Sequence, residues 1–178
     1  MTLSKKKLPR VLSIVGKSNS GKTTFITRLI PLFCQVNLKV GTIKHTHHDL
    51  IFDQPGKDSW KHKQAGSSRV MVISSSTMAI YDDYSTEKTL KETAEDWFLG
   101  FDLVISEGFK HEDCLRIEVH RSANGKEPLY LNPDNGISAL ISDTQPLSYS
   151  IPHFDINDAE AVFQWICKKF DFKINLKK

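Results

Sequence analysis

Short apolar runs alternate along the chain with longer segments in which apolar residues recur every three or four positions. The short runs are typical of buried strands and cover residues 11–15, 38–43, 103–106, 137–141 and 151–155. The longer segments are typical of amphipathic helices and cover residues 25 to about 30, 57–65, about 87–99 and 158–170. Strands that alternate with helices in this way predict an α/β sandwich with a mostly parallel sheet.

Two segments are predicted as antiparallel hairpins added to this sheet. Residues 69–81 hold two β-type runs that are joined by a short link of serines, which is too short for a parallel crossover. Residues 115–120 alternate between apolar and polar side chains, as a half-exposed strand does, and residues 128–131 are expected to return as its second arm. The polar side chains on this strand are Arg116, Glu118 and His120.

Two helix boundaries follow from local chemistry. Pro31 lies within the apolar periodicity of the first helix and is expected to kink or end that helix near Ile30. Asn157 with Glu160 three positions later forms a capping-box pattern, so Asn157 is expected to cap the last helix.

Length and composition limit the classes of protein. The 178 residues predict one nucleotide-binding domain over 1–178, with flexible tails at 1–8 and 172–178. A net charge of +3 gives no reason to expect nucleic acid as a partner, and no apolar stretch is long enough to predict a membrane span. The three cysteines share no close spacing, which favours a reduced, cytoplasmic protein.

The clearest chemical motif lies between the first strand and the first helix. Residues 16–23 fit G-x-x-x-x-G-K-[ST], the phosphate-binding loop of nucleoside triphosphatases. Glycine at both fixed positions permits the backbone to approach the β-phosphate closely, and the positive end of the following helix favours an anion there. The predicted nucleotide-binding residues are Gly16, Lys17, Ser18, Asn19, Ser20, Gly21, Lys22, Thr23 and Thr24.

Two side chains of this loop have distinct predicted roles. Lys22 brings a point charge to the β- and γ-phosphates and is the first candidate for catalysis. The Thr23 hydroxyl is a candidate ligand of Mg²⁺.

A Mg²⁺–nucleotide site also needs a carboxylate at the tip of a neighbouring strand. Asp102 and Glu107 flank the strand at 103–106, and if that strand is parallel to the first, only Glu107 lies at the phosphate edge. Asp102 would then lie about 16 Å away at the opposite edge. Glu107 is therefore predicted as a metal ligand and catalytic residue, and Gly108 as the position that lets the backbone pass close by. The alternative is an ordinary surface acid.

A polar block follows the second predicted strand. Asp49 is a second candidate for the metal's outer shell or for orienting the attacking water. His45, His47 and His48 precede it and raise the alternative of a transition-metal site, although an extended chain directs His45 and His47 to one side and His48 to the other. A polar loop that contacts phosphate or a partner is favoured, and a solvated loop without a role is the remaining alternative.

Several ordered blocks together resemble one family. They are residues 16–24, 44–49 (Lys-His-Thr-His-His-Asp), 55–59 (Pro-Gly-Lys-Asp-Ser), 107–112 (Glu-Gly-Phe-Lys-His-Glu) and 155–158 (Asp-Ile-Asn-Asp). In this order and spacing they resemble the MobB family, the adaptor proteins of molybdopterin-guanine dinucleotide biosynthesis. The resemblance extends from about residue 9 to about residue 170.

The resemblance implies a P-loop NTPase-like three-layer sandwich that binds GTP and Mg²⁺ and hydrolyses GTP weakly. It implies a homodimer joined through β-segments. It also implies a role in assisting MobA, the guanylyltransferase that attaches GMP to molybdopterin, with molybdopterin itself as a further ligand. The phosphate-binding role carries to residues 16–24, and metal or phosphate roles to Asp49 and Glu107. Lys110 belongs to a shared block without a role assigned to it.

The choice of base does not follow from a motif. Guanine-selective P-loop proteins often carry N-K-x-D, and this chain has no such run. Asp143 ends a predicted strand at the phosphate edge and is a candidate acceptor for the N–H groups of guanine. The alternative for Asp143 is a turn-capping role before residues 144–146.

The favoured function is a GTP-binding adaptor, at most a slow GTPase and mainly an accessory protein. One alternative is a metal-delivery GTPase that uses His45, His47 and His48, and another is a small-molecule P-loop kinase. Arg116 and Arg121, on the second predicted hairpin, are either charge partners of a neighbouring subunit's nucleotide or exposed, solubilising arginines.

Overall fold

The computed structural model describes residues 7–46, 53–84, 86–109, 113–146 and 150–173. They form two compact units. The larger unit consists of the chain up to His45 and from Thr89 onward, and the smaller unit lies between Thr46 and Lys88. A single domain over residues 1–178 stays a prediction, and most of the two predicted tails lies outside the described residues.

The elements are numbered in chain order. They are β1 (Arg10–Val15), α1 (Lys22–Gln35), β2 (Val40–Lys44), α2 (Asp58–Gln64), β3 (Arg69–Ile73), β4 (Met78–Asp82), α3 (Leu90–Trp97), β5 (Leu103–Glu107), β6 (Leu115–His120), β7 (Ala139–Ser142), β8 (His153–Asp155) and α4 (Ala159–Phe170). In the described part of the chain, no helix combines the length and the apolar character that a membrane span requires.

The larger unit is built on a six-stranded sheet in the order β2-β5-β1-β6-β7-β8, and every neighbouring pair is parallel. Strand β1 is central, with Leu12 opposite Ile105 of β5 on one side and Leu115 of β6 on the other. Together with the antiparallel β3–β4 pair, this arrangement confirms the predicted α/β fold with a mostly parallel sheet and an added hairpin. The carboxyl ends of β1, β2, β5, β6 and β7 therefore meet at one edge.

Helices α1 and α4 contribute the apolar core on one face of the sheet. Their rings meet at Phe33 and Phe163, whose centroids are 5.0 Å apart in an edge-to-face arrangement. The sequence predicts that Pro31 kinks or ends α1 near Ile30; the end is wrong, since the helix continues through Pro31 to Gln35, and the kink stays a prediction. Phe33, one turn further on, is fully buried. Burying a phenylalanine is worth about 1.5–3 kcal/mol, which offsets the hydrogen bond that the proline removes.

The cap of α4 also differs from the prediction by one residue. The Asp158 side chain, not that of Asn157, accepts a hydrogen bond from the Ala161 N–H at 2.9 Å. The Asn157 N–H is itself bound by the Asp155 carboxylate at 2.7 Å, so Asn157 belongs to the turn before the helix. Both residue types are good caps, and local spacing alone does not separate them.

The second predicted hairpin, over residues 115–131, is wrong. Strand β6 is buried and parallel to both β1 and β7, and residues 129–131 form a 3₁₀ turn. Glu118 and Arg116, two of the polar side chains that suggested exposure, have hydrogen-bond partners inside the protein. Glu118 is fully buried and accepts the N–H groups of Leu129 at 2.8 Å and Tyr130 at 2.9 Å. Arg116 donates to the Asn135 carbonyl, so neither reading of Arg116 as a residue on an exposed arm holds.

The smaller unit contains α2 and the antiparallel β3–β4 hairpin, and the hairpin confirms the prediction for residues 69–81. Arg69 and Asp82 lie opposite each other, with Nη2 and Oδ2 2.5 Å apart. Several large apolar side chains of the hairpin are exposed: Met71, Val72, Ile73 and Met78.

Candidate phosphate-binding site

The carboxyl ends of β1, β5 and β6 surround one open cavity of about 550 Å³. This volume lies in the range of small-molecule sites in proteins. The cavity is lined by Ser18, Asn19, Gly21, Lys22, Thr23, Thr24, Glu107 and Arg121. Most of the predicted phosphate loop therefore faces one space, and a carboxylate from β5 faces it as well.

Gly16 begins the loop in a conformation that excludes any side chain. Its φ is +146°, and a Cβ at this position would lie 2.3 Å from the Val119 carbonyl oxygen and 2.8 Å from Ser20 Oγ. The loop can leave β1 only because this close approach to β6 is available. The first fixed glycine of the motif is therefore required by packing against β6, whether or not a ligand is bound.

Lys22 lies over its own loop. Its Nζ donates hydrogen bonds to the carbonyl oxygens of Gly16 at 3.1 Å and Lys17 at 2.9 Å. These contacts hold the ammonium group at the mouth of the loop, among the lining residues of the cavity. A positive charge at this position attracts an anion to the N-terminal end of α1.

Ser20 is the buried polar side chain of the phosphate loop. Ser20 is 1% exposed, and its Oγ has no hydrogen-bond partner among the described residues. A buried hydroxyl without a partner costs free energy, and native proteins usually provide one. Ser20 is not among the residues that line the cavity, so its hydroxyl does not face a ligand there. The fit to a phosphate rests on the residues that do line it: Lys22 supplies a cation, and the N-terminal end of α1 supplies backbone N–H groups.

Thr23 and Glu107 meet at the edge of the cavity. Thr23 Oγ1 donates to the Glu107 carboxylate, with distances of 3.1 Å to Oε1 and 2.9 Å to Oε2. Lys44 Nζ lies 3.9 Å from Glu107 Oε1, and the Glu107 side chain is 17% exposed. A hydroxyl and a carboxylate are the oxygen donors that Mg²⁺ prefers, so this pair fits that ion.

Gly108 lets the chain turn directly after Glu107. Its φ is +107°, and a Cβ there would lie 2.6 Å from the His45 carbonyl oxygen. The His45 N–H donates to the Glu107 carbonyl at 2.9 Å, and the His45 ring packs against the Phe109 ring at a tilt of 45°, with centroids 4.7 Å apart. The end of β2 is thereby held against the end of β5, as strand polarity predicts.

Part of the predicted site lies outside the described residues. This applies to Asp49, His47, His48 and Lys110. Among the residues that the structure describes, no three histidine, cysteine or acidic side chains are grouped as a metal site would require.

Asp102 lies at the amino end of β5, away from the loop. Its carboxylate accepts the Lys39 N–H at 2.9 Å, and its carbonyl accepts the Arg10 N–H at 2.9 Å. This placement agrees with the strand-polarity argument that set Asp102 aside.

Asp143 directly follows β7 and holds the start of the 3₁₀ turn Ser122–Asn124. Its Oδ1 accepts the Ser122 N–H at 2.9 Å, and its Oδ2 accepts from the Ser122 hydroxyl at 3.4 Å. The hydrogen bond from the Ser122 N–H is the main cause that lowers the pKa of the Asp143 carboxyl below its usual value. Asp143 is thus an ionised acceptor at the phosphate edge of the sheet, and its contact with the base stays a prediction.

Arg121 is the lining residue whose place in this cavity the sequence did not reveal. The hairpin prediction put it on an exposed arm, whereas it directly follows β6, the parallel neighbour of β1. Residues at the carboxyl ends of strands parallel to β1 lie beside the phosphate loop. This argument applies to Arg121 as it does to Glu107, because β6 is parallel to β1. The misleading signal was the polar alternation of β6.

Comparison with known proteins agrees with this architecture. Residues 11–143 match the family model described as MobB, molybdopterin guanine dinucleotide synthesis protein B. The molybdopterin-guanine dinucleotide biosynthesis adapter protein of Escherichia coli K12 is 36% identical over 170 residues, which cover 89% of this chain and 94% of that protein. The adapter protein of that name from Haemophilus influenzae is 40% identical over 112 residues, 62% of this chain and 63% of that protein.

Solved structures show the same fold. A crystal structure of molybdopterin-guanine biosynthesis protein B superposes with a TM-score of 0.73 at 28% identity, over 89% of this chain and 99% of that chain. Bacillus subtilis MobB, at 22% identity and a TM-score of 0.69 over 89% of this chain and 97% of that chain, supports the fold alone. These matches do not favour a metal-delivery protein or a small-molecule kinase. The chain belongs to the MobB family of molybdopterin guanine dinucleotide synthesis proteins.

Proposed function

We propose that this protein is a GTP-binding adaptor with slow, Mg²⁺-dependent GTPase activity that assists the attachment of GMP to molybdopterin. The observation that carries the proposal is the meeting of Thr23 and Glu107 at the mouth of the phosphate loop. This pair would provide two oxygen ligands for Mg²⁺ beside the phosphate loop. The names of the related adapter proteins supply the pathway.

Lys22, Thr23 and the loop amides bind the triphosphate in this proposal. Two features support it: the ammonium group of Lys22 at the loop mouth and the N-terminal end of α1. Mg²⁺ bound by Thr23 and Glu107 would neutralise charge on the phosphates.

Slow turnover follows from the composition of the cavity. Among the described residues that line it, Glu107 is the sole carboxylate, and its oxygens are engaged by Thr23. A P-loop site with little to orient the attacking water hydrolyses slowly until a partner completes it. We assign Asp49 to the metal's outer shell or to that water.

Asp143 is the proposed acceptor for the N–H groups of guanine. It is exposed, its lowered pKa keeps it ionised at neutral pH, and it lies at the phosphate edge of the sheet. An ionised carboxylate has about four acceptor sites, so the bonds from Ser122 leave capacity for a base.

The proposed assembly is a homodimer that works with a guanylyltransferase of the MobA type and with molybdopterin. The β3–β4 hairpin supports the dimer, because it exposes four large apolar side chains and forms a two-stranded sheet by itself in the described residues. Isolated strand edges of this kind pair readily with another strand, and a second copy offers a matching edge.

Titration of the purified protein with GTP, ATP and molybdopterin, with and without the guanylyltransferase, tests the proposal. We expect Mg²⁺-dependent binding with a preference for GTP, slow GTP hydrolysis and faster formation of the guanylylated cofactor when both proteins are present. Equal weak binding of all nucleotides, or no effect on cofactor formation, contradicts it. Sedimentation as a monomer at micromolar concentration contradicts the dimer.

A further inference from the structure

We infer that Arg121 is a phosphate-binding residue of its own subunit, which holds the nucleotide from the side of the loop opposite Glu107. The inference rests on the proposed nucleotide site and adds a cation that the loop motif does not contain. It replaces both sequence-based interpretations of Arg121, an exposed solubilising residue and a charge partner for another subunit.

The guanidinium group of Arg121 lies directly against the phosphate loop. A Cβ placed on Gly21 would be 3.0 Å from Arg121 Nε and 3.6 Å from Nη2. Gly21 immediately precedes Lys22, and both line the cavity together with Arg121. The arginine therefore reaches the part of the loop whose amides face the β-phosphate in this motif.

The segment that carries Arg121 is fastened at two points. Asp143, after β7, accepts from the N–H and the hydroxyl of Ser122, the next residue in the chain. Asn124 Nδ2 donates to the Ser18 carbonyl of the phosphate loop at 3.3 Å. The turn that follows Arg121 is thus tied to the sheet at one end and to the loop at the other.

The order of the strands puts opposite charges on opposite sides of the loop. Strand β1, which leads into the loop, lies between β5 and β6. Glu107 ends β5 on one side, and Arg121 follows β6 on the other. A phosphate chain between them would meet the proposed Mg²⁺ ligand Glu107 on the β5 side and the guanidinium of Arg121 on the β6 side.

The chemistry of the side chain suits this position. A guanidinium is a planar fork that can donate two parallel hydrogen bonds to a phosphate, whereas an ammonium group acts as a point charge. Lys22 and Arg121 would therefore contribute differently to one anion. Since the contact is at the part of the loop that binds the β-phosphate, GTP and GDP should depend on Arg121 alike.

Nucleotide titration of three variants tests the inference: R121A, R121K and the control K126A. Lys126 is an exposed cation five residues further along the same connection and does not line the cavity. We expect R121A to weaken the binding of GTP and of GDP about tenfold to a hundredfold, the size of a lost charge-assisted hydrogen bond. R121K should recover part of the loss, and K126A should bind as the unchanged protein does.

Wild-type affinity in R121A overturns the inference. Thermal unfolding of each variant separates lost binding from lost structure. If R121K is as stable as the wild type but binds GTP more weakly, the loss of affinity comes from the changed side chain and not from unfolding. If the unchanged protein and K126A do not bind GTP at all, the proposed function itself fails. That result is distinct from normal GTP binding that is insensitive to Arg121.

Discussion

Thr23 and Glu107 lie 84 positions apart in the chain, and the Thr23 hydroxyl donates to both carboxylate oxygens, at 3.1 and 2.9 Å. The contact joins the first turn of α1 to the last residue of β5. It exists because β5 is parallel to β1 and in register with it from Arg10 to Ile14.

Replacing Glu107 by Gln should remove most of the Mg²⁺ dependence of GTP binding. The amide oxygen can still accept from Thr23, so the fold is kept, but the negative charge that attracts the ion is lost. We expect GTP affinity in MgCl₂ to fall about tenfold or more and to approach the affinity measured in EDTA.

Asp102→Asn is the matched control, since Asp102 lies at the other end of β5 and its side-chain oxygen bonds a backbone N–H. It should bind GTP with normal Mg²⁺ dependence. An E107Q protein that keeps the full response to Mg²⁺ would exclude Glu107 as a metal ligand.

Replacing Lys22 by Ala should strongly weaken GTP binding while leaving the thermal unfolding midpoint nearly unchanged. The substitution removes only the hydrogen bonds from Nζ to the Gly16 and Lys17 carbonyls, which lie within the loop at the surface of the cavity and not in the core. We expect affinity to fall by about a hundredfold or more, from the loss of a charge on the phosphates. Titration calorimetry and a melting curve on the same sample measure both quantities, and tight GTP binding by K22A would contradict the assignment.

The sequence predicted those parts of the site that depend on local pattern and strand polarity. The loop motif located residues 16–23, and the parallel arrangement of β1 and β5 was enough to choose Glu107 over Asp102. The same reasoning failed at β6. Its buried polar residues resemble an exposed face, because a buried Glu118 is recognisable only once Leu129 and Tyr130 are known to donate to it.

Local boundaries were predicted less well for a related reason. Pro31 is a helix breaker in isolation, but the burial of Phe33 keeps α1 continuous. Asn157 and Asp158 are equally good caps, and the choice depends on Asp155, which already binds the Asn157 N–H. In each case a contact made elsewhere in the fold outweighs a local preference.

Replacing Gly16 by Ala should destabilise the protein as well as abolish nucleotide binding. The added methyl group would lie 2.3 Å from the Val119 carbonyl, and its backbone angle is strained for any other residue. We expect the free energy of unfolding to fall by roughly 2–4 kcal/mol.

Gly125→Ala is the matched control, because Gly125 also has a positive φ, +58°, and has open space around its Cα. It should cost about 1–2 kcal/mol, the free energy of a left-handed backbone for alanine without the added clash. Denaturant unfolding of both variants measures the difference, and equal losses would show that the contact with β6 is unimportant.

Replacing Asp143 by Ala should reduce the preference for GTP over ATP. Affinity for both nucleotides should fall, because Ser122 and the segment that carries Arg121 lose their anchor. Affinity for GTP should fall further if Asp143 accepts from guanine. Ser122→Ala, which removes only the hydroxyl contact, is the control. An unchanged ratio of GTP to ATP affinity in D143A would reject the base contact.

The cysteines should differ in their reaction with an alkylating reagent. Burial, with a smaller contribution from Glu160, raises the pKa of Cys167 from 9.0 to about 11, whereas Cys34 is exposed. At pH 8 only about 0.1% of a thiol with that pKa is ionised, so Cys34 should be modified first and Cys167 only after unfolding. Mass spectrometry of the alkylated protein measures the order, and early modification of Cys167 would contradict its burial.

The raised pKa of Cys167 predicts that the free energy of unfolding falls at alkaline pH. The folded state keeps the Cys167 proton to a higher pH than the unfolded chain does, so this stabilisation is complete below about pH 9 and is lost as pH rises toward 11. A Cys167→Ala protein should lose less stability over that interval, as measured by denaturant unfolding at each pH.

The placement of β1 between two strands from the second half of the chain also determines when the loop can exist. During synthesis, the whole motif leaves the ribosome long before residues 103–107 and 115–118 are available to pair with β1. The carbonyl of Val119 and the guanidinium of Arg121 arrive later still. Parallel pairing across such sequence distances is slow. We therefore expect the proposed nucleotide site to form only near the end of folding, and an N-terminal fragment that contains the complete motif to lack it.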